Sequence, residues 1–306
     1  MFRYLGPILI VVMALGLVAG IAVILVGPLA GRLAADPALC LTVFDGIGAV
    51  GGDPPRIRAV IGGSEPGRPA KFHRLVARFE DGSSAWAWIR PDGLSGTVAP
   101  RGLTTGAYRF VVGLPEVEPR LDVSAAGTVY VWPQSESVIW FDAAAIVPAC
   151  GVRLVAECAA AGPSDEVLDV VDAVKTLASG RLPVYLVSAD AQGYASARRR
   201  LKAYGAPPGP AFWVIPGKEQ SRLLGLKGVW PHVHAAVVCD PTMGEAAARA
   251  GVTVREAPSA DALSIRTRIP KGSVWTGPGP AETRRAWRRI LENLTARRAG
   301  DGNVRR

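Results

Sequence analysis

The stretch VVCDPTMGEAAARAGV, residues 237–252, runs from buried-looking aliphatics into an acid, Asp240, and then into an alanine-rich segment of helical character that carries a second acid, Glu245. A carboxylate at the mouth of an apolar strand is costly to desolvate, so the pair calls for a cation, a partner or open water. The same strand-then-helix rhythm surrounds it. VRLVAE, PVYLVSAD, AFWVIPG, HAAVVCD and VTVREA are five short apolar runs. Between them stand helical patterns such as DEVLDVVDAVKTLASG, where Ser164 is a cap and acids fill the first turn, and ASARRRLKAYG. This alternation predicts a parallel sheet covered on both faces. Such sheets place ligands beyond the carboxyl ends of their strands, and Glu157, Ser188, Asp240 and, a little past its run, Lys218 all fall at such ends.

Upstream, residues 36–149 read differently. ALCLTVFDG, RIRAVIGG, HRLVARFEDG, SAWAWIRPDG, AYRFVVG, GTVYVWP and SVIWFD are short, several alternate with period two, and DG or PDG closes three of them in a form suited to tight turns. Seven such pieces predict an antiparallel β-sandwich. DGSSAWAWIRPDGLSGTVAPRGLTTGAYRFVV resembles Ig-like and transthyretin-like modules. Trp86, Trp88, Trp132 and Trp140 suit either packing or a carbohydrate or protein surface, with packing the commoner use.

Residues 7–30 contain no charged side chain. At ~1.5 Å per residue such a helix crosses a ~30 Å hydrocarbon layer, so residues 1–35 are read as a single-pass transmembrane signal anchor with the body outside the cytoplasm. The formal net charge of +9 is concentrated at the other end, where residues 265–306 hold eleven Lys or Arg against three acids. This basic segment, within residues 263–306, contains a helix with Trp287, Ile290, Leu291 and Leu294 on one stripe, which docks on the body or lies on a membrane face. The charges suit solvent or an anionic lipid surface; no nucleic-acid fold signature accompanies them. The four cysteines, Cys40, Cys150, Cys158 and Cys239, have no CxxC spacing, which disfavours a zinc cluster.

Residues 150–262 resemble the haloacid dehalogenase superfamily, most closely its lipin-like, phosphatidate phosphatase branch. The resemblance rests on VRLVAECAA, LPVYLVSADAQGY, GAPPGPAFWVIPGKEQSRLLGLKGVWP and VVCDPTMGEAAARAGV, in that order. It implies that Glu157 stands where the family has its nucleophilic aspartate, that Ala159 stands at the lost acid/base position, that Ser188 and Lys218 hold phosphoryl oxygens, and that Asp240 and Glu245 hold Mg²⁺. A carboxylate attacking an anion needs a divalent cation and a lysine to neutralise the oxygens that it approaches. Here the longer Glu157 displaces the attacking oxygens and Ala159 neither donates nor accepts a proton. Losing a positioned acid/base removes roughly 10²- to 10⁴-fold in rate. FDAAAIV offers Asp142 as an alternative nucleophile, again with alanine, Ala144, two residues on.

The fold expected is therefore an α+β multidomain chain of transmembrane helix, antiparallel sandwich and Rossmannoid α/β sheet. The function expected is that of a catalytically impaired phosphatase relative that binds a phosphate-bearing ligand, in one version a phospholipid. An active Mg²⁺-dependent phosphatase using Glu157 and an envelope interaction module acting through the sandwich are the alternatives. Each site residue also has a plainer use: Glu157 in a salt bridge, Ser188 and Asp240 as helix caps, Glu245 as a first-turn acid, Lys218 as a solvated helix-start residue.

Overall fold

The computed structural model describes residues 40–62, 74–88, 94–113, 124–148, 163–260 and 280–301. The first layer is a five-stranded sheet, in the order β2 (Gly46–Ala49), β8 (Ser124–Trp132), β7 (Gly106–Gly113), β4 (Arg74–Phe79) and β5 (Ser84–Trp88). A three-stranded antiparallel sheet of β1 (Cys40–Phe44), β3 (Arg56–Gly62) and β6 (Leu94–Val98) packs on it. Val43, Ile57 and Ile61 of the smaller sheet meet Leu75, Phe110 and Val129 of the larger. The sandwich is not wholly antiparallel, because β2 runs parallel to β8. The cause lies at Asp45. Of the three DG pairs, Asp81-Gly82 makes the expected tight turn, with Gly82 at φ 83° and Ser83 N–H donating to Asp81 Oδ1. Asp45 instead is a one-residue break at which the chain leaves the smaller sheet as β1 and enters the larger as β2.

The third layer is a parallel sheet in the order β11 (Ala211–Val214), β10 (Leu182–Ser188), β9 (Val138–Asp142), β12 (Val233–Val238) and β13 (Val254–Glu256). Helices α1 (Asp165–Ala178), α2 (Ala191–Ala203) and α5 (Pro280–Asp301) pack on one face, through Val171, Leu177, Tyr194 and Trp287 against Phe141 and Tyr185. Helices α3 (Glu219–Val229) and α4 (Pro241–Arg249) cover the other, through Leu223, Leu226 and Met243 against Trp140 and Leu186. Trp287, Ile290 and Leu294 of α5 are buried, so the basic helix docks on the body through its apolar stripe.

The first strand of this sheet corrects the expected organisation. VIWFD, assigned above to the sandwich within residues 36–149, is β9 at the centre of the parallel sheet, while VRLVAE lies outside the described residues. All five β9 residues are buried, as expected of a strand covered on both faces and not of an alternating sandwich strand. A second correction concerns the membrane. Among the described residues, no helix is long and apolar enough to cross a bilayer. That finding overturns the single-pass fold class and membrane localisation; the proposed span, residues 7–30, lies outside the described residues.

The smaller sheet is shared between the sandwich and the α/β body. Period two turns Ile57, Ala59 and Ile61 of β3 into the sandwich core and Arg58 and Val60 the other way, where Val60 packs against the α/β core. Phe44 lies on that same face, stacked on Trp213 with ring centroids 4.0 Å apart.

Candidate functional site

Two places concentrate polar chemistry. The first is the carboxyl rim of the parallel sheet, where β9 and β12 end side by side. The chain goes from β9 to one side of the sheet and returns to β12 on the other, which makes this the switch point at which open α/β sheets bind ligands. Asp142, the last residue of β9, is 3% exposed. Its Oδ1 accepts the Ala144 N–H at 3.0 Å and caps a short 3₁₀ turn, Ala143–Ala145. Its Oδ2 accepts the Cys239 N–H, the Cys239 Sγ–H and the Asp240 N–H, each at 3.2 Å. The carboxylate thus fastens the end of β12 to the end of β9. The segment after β13 closes over the turn, with Ala260 N–H donating to Ala144 O at 2.8 Å.

Around this centre the expected residues separate. Glu157 and Ala159 lie outside the described residues. Ser188 ends β10, half-buried at the rim. Lys218 is the exposed N-cap residue of α3 and makes no side-chain capping bond. Asp240 is the N-cap of α4, and its Oδ1 accepts the Thr242 N–H at 2.9 Å and the Thr242 hydroxyl at 2.8 Å. Glu245 is exposed and ion-paired one turn along the helix with Arg249 at 2.9 Å.

These donors do not fit Mg²⁺, which asks for a near-octahedral set of oxygens. Asp142 is occupied by four donors, Asp240 is turned onto its own helix, and Glu245 faces Arg249. Among the described residues, no three His, Cys, Asp or Glu side chains cluster so as to hold a metal ion.

The second place is a cavity of about 500 Å³ where the β2–β3 loop meets β11 and α3. Its wall includes Arg56, Arg58 and Arg222, with Asp53, Ser221 and Phe212. Arg222 is half-buried. Its Nε and Nη2 both donate to Trp213 O, at 3.1 and 2.8 Å, and its guanidinium lies 4.6 Å from the Phe212 ring centroid. Burial, with the nearby Arg58 charge, pushes its pKa down to about 10, so it stays charged at neutral pH.

Beside the cavity is a buried ionic knot. The Asp45 side chain, 2% exposed, receives Arg198 Nη2 on Oδ1 at 2.9 Å and Arg198 Nε on Oδ2 at 3.2 Å. It also accepts the Thr128 N–H and the Ala211 N–H, each at 3.1 Å. Tyr194 Oη accepts the Asp45 N–H and donates to Ala211 O. Burial raises the Asp45 carboxyl above its ordinary range, against the opposing pull of Arg198 and the two backbone donors. One side chain therefore joins β8, α2 and the edge strand β11.

None of Asp45, Arg58, Arg198 and Arg222 was singled out from the sequence. Asp45 bonds to residues 83 to 166 positions away, for which no local pattern exists. The arginines did leave a trace, because RIRAVIG places Arg56 and Arg58 on one strand face, opposite three buried apolar residues.

No protein-family model matches the chain, and no curated protein matches it. Among solved structures, a family 123 glycoside hydrolase from Clostridium perfringens, described for glycolipid glycan hydrolysis, aligns at 10% identity with a TM-score of 0.16. The alignment covers 70% of this chain and 59% of that one. A TM-score this low defines no common fold, and nothing is carried over from it. The comparisons equally lend nothing to an Ig-like or phosphatase label.

Proposed function

We propose that the α/β body is a non-hydrolysing relative of the haloacid dehalogenase phosphatases, and that the chain works by binding a phosphate-bearing small molecule. The observation that carries this reading is the state of Asp142. It ends the central strand, which is also the first strand of the sheet, and so is the natural candidate for a nucleophile. Four hydrogen-bond donors occupy its oxygens, and the residue two positions on is Ala144. A carboxylate serving as an interior fastener is poorly free to attack phosphorus, and Ala144, at the position two residues on, has no proton to give. The test is a phosphatase panel with Mg²⁺, run on the full chain beside Asp142→Asn and Glu157→Gln. We expect no turnover from any of the three. Hydrolysis by the native chain that either substitution abolishes would defeat the proposal.

A second reading, an interaction module acting through the sandwich, is favoured by Trp86 and Trp88. They are 57% and 60% exposed on the edge strand β5, edge to face with centroids 6.2 Å apart. Arg74 is the cross-strand neighbour of Trp88, and Trp with Arg is the composition typical of interface hot spots. Quenching of tryptophan fluorescence by an acidic polypeptide such as polyglutamate, lost in the Trp86→Ala/Trp88→Ala double variant, would favour it.

A further inference from the structure

We propose that the cavity between the β2–β3 loop and α3 is a binding site for a small organic dianion with an apolar body, a phosphate monoester being the fitting class. The proposal rests on the reading above, that the chain binds a phosphate-bearing molecule without hydrolysing it, and deepens it by placing that ligand not at the rim but in this cavity. Its size, about 500 Å³, is that of a small-molecule site. Among the described residues, Arg56, Arg58 and Arg222 line it together with Asp53, which is exposed, and Asp45, which is bound by Arg198. With burial as the larger cause, the Arg58 charge lies close enough to help depress the Arg222 pKa. Bringing guanidiniums together costs free energy in the empty protein, and an anion between them recovers it.

The geometry around Arg222 points the same way. Two of its nitrogens are fixed on a single carbonyl and its plane lies against the Phe212 ring, so its position is set before any ligand arrives. Among the described residues, Nη1 has no partner, which leaves two N–H groups for an oxyanion. Arg58 approaches from β3, a strand held in register on both sides by β1 and β6. Two guanidiniums on separate rigid elements suit a doubly charged group with several oxygens better than a single carboxylate. Phe212, Ile47 and Pro54 supply apolar wall for the rest of the ligand.

Calorimetric titration of the full chain tests this, with phenyl phosphate as the dianion, inorganic phosphate and succinate as other anions, and phenol as the neutral control. Phenyl phosphate is expected to bind in the micromolar to millimolar range and phenol not to bind. Arg58→Gln should weaken phenyl phosphate by about tenfold or more, as loss of a charge-assisted contact does. Arg222→Gln should do the same, but because Arg222 also holds Trp213 O, Arg58→Gln is the deciding variant. Ser188→Ala/Lys218→Ala, at the rim, should leave the affinity unchanged. Tight binding of succinate in place of phenyl phosphate, binding that survives Arg58→Gln, binding lost in the rim variant, or no anion binding at all would each overturn the cavity assignment. Phosphatase turnover, by contrast, would break the non-hydrolysing reading and leave this one standing.

Discussion

At the rim of the parallel sheet, Asp142 has both carboxylate oxygens committed to four donors of its own chain; at the junction cavity, Arg222 has two nitrogens on one carbonyl and the third left over. The rim occupies the place where open α/β sheets normally bind ligands, yet the carboxylate at its centre, Asp142, is taken up by donors of its own chain. The cavity lies along the sheet's outer strand, where topology predicts nothing, yet among the described residues it leaves Arg222 Nη1 without a partner. Position in a fold marks where a site can be built, and the balance of donors and acceptors there decides whether one has been. Substitutions at the rim should therefore change stability, and substitutions at the cavity should change binding.

The largest effect should come from the knot beside the cavity. Asp45→Ala leaves the half-buried Arg198, which keeps the Ala126 carbonyl, without its carboxylate, and leaves two backbone N–H groups without an acceptor. Loss of one member of a fully buried pair costs about 3–5 kcal/mol; with Arg198 31% exposed the cost should fall toward about 2–3 kcal/mol, to be read as a fall in urea midpoint at unchanged slope. A cost below about 1 kcal/mol would show the knot to be dispensable.

Next is the response to alkali. Burial raises the Tyr130 hydroxyl from 10.0 to about 12, and burial followed by the Asp45 charge raises Tyr194; Tyr185 is raised by burial as well. The folded chain keeps these protons above pH 10.0, where the unfolded chain releases them, so stability must fall as pH rises past that value. Each retained proton contributes a slope of about 1.4 kcal/mol per pH unit. Tyr194→Phe, although less stable at pH 8, should show a shallower decline in denaturation midpoint. Equal slopes would remove Tyr194 from the account.

Asp142→Asn comes third. An amide cannot accept on both sides, so at least one buried N–H at the rim goes unmet, at a cost of about 1–3 kcal/mol. Phenyl phosphate affinity should not change. If affinity fell with stability intact, rim and cavity would have exchanged roles.

Glu245→Gln should do least. Its partner Arg249 is exposed like itself, and exposed pairs one helical turn apart are worth about 0.3–0.5 kcal/mol. A Mg²⁺-induced rise in melting temperature that this substitution removed would restore the acid as a metal ligand.

Much of the α/β body could be read locally. The helices announced themselves through their caps and apolar stripes: Asp240 is the N-cap of α4, and the stripe through Trp287, Ile290 and Leu294 is buried on the body, one of the two uses that its spacing left open. What could not be read was pairing. VIWFD and VRLVAE are both short apolar runs preceding a helix, and only long-range register made the first of them the central strand. The tryptophans divided for the same reason, since Trp140 sits in that buried strand while Trp86 and Trp88 alternate outward on an edge. The polar knot at Asp45 was invisible because its acid resembled an ordinary turn residue, and a glycine after it strengthened that impression. RIRAVIG contained the cavity's two β3 arginines in plain alternation, but alternation alone did not say that the second face would meet another layer.

Among the described residues, the outer strand of the α/β body is met by side chains and not by a further strand: Asp45 takes the Ala211 N–H and Arg222 the Trp213 carbonyl. Those two contacts act as stoppers on what would otherwise be a template for strand addition. A fragment starting after Trp132 would keep one stopper and lose the other, and should recruit copies of itself along that border, scattering light where the intact chain stays dispersed. The sandwich, by supplying Asp45, guards that border.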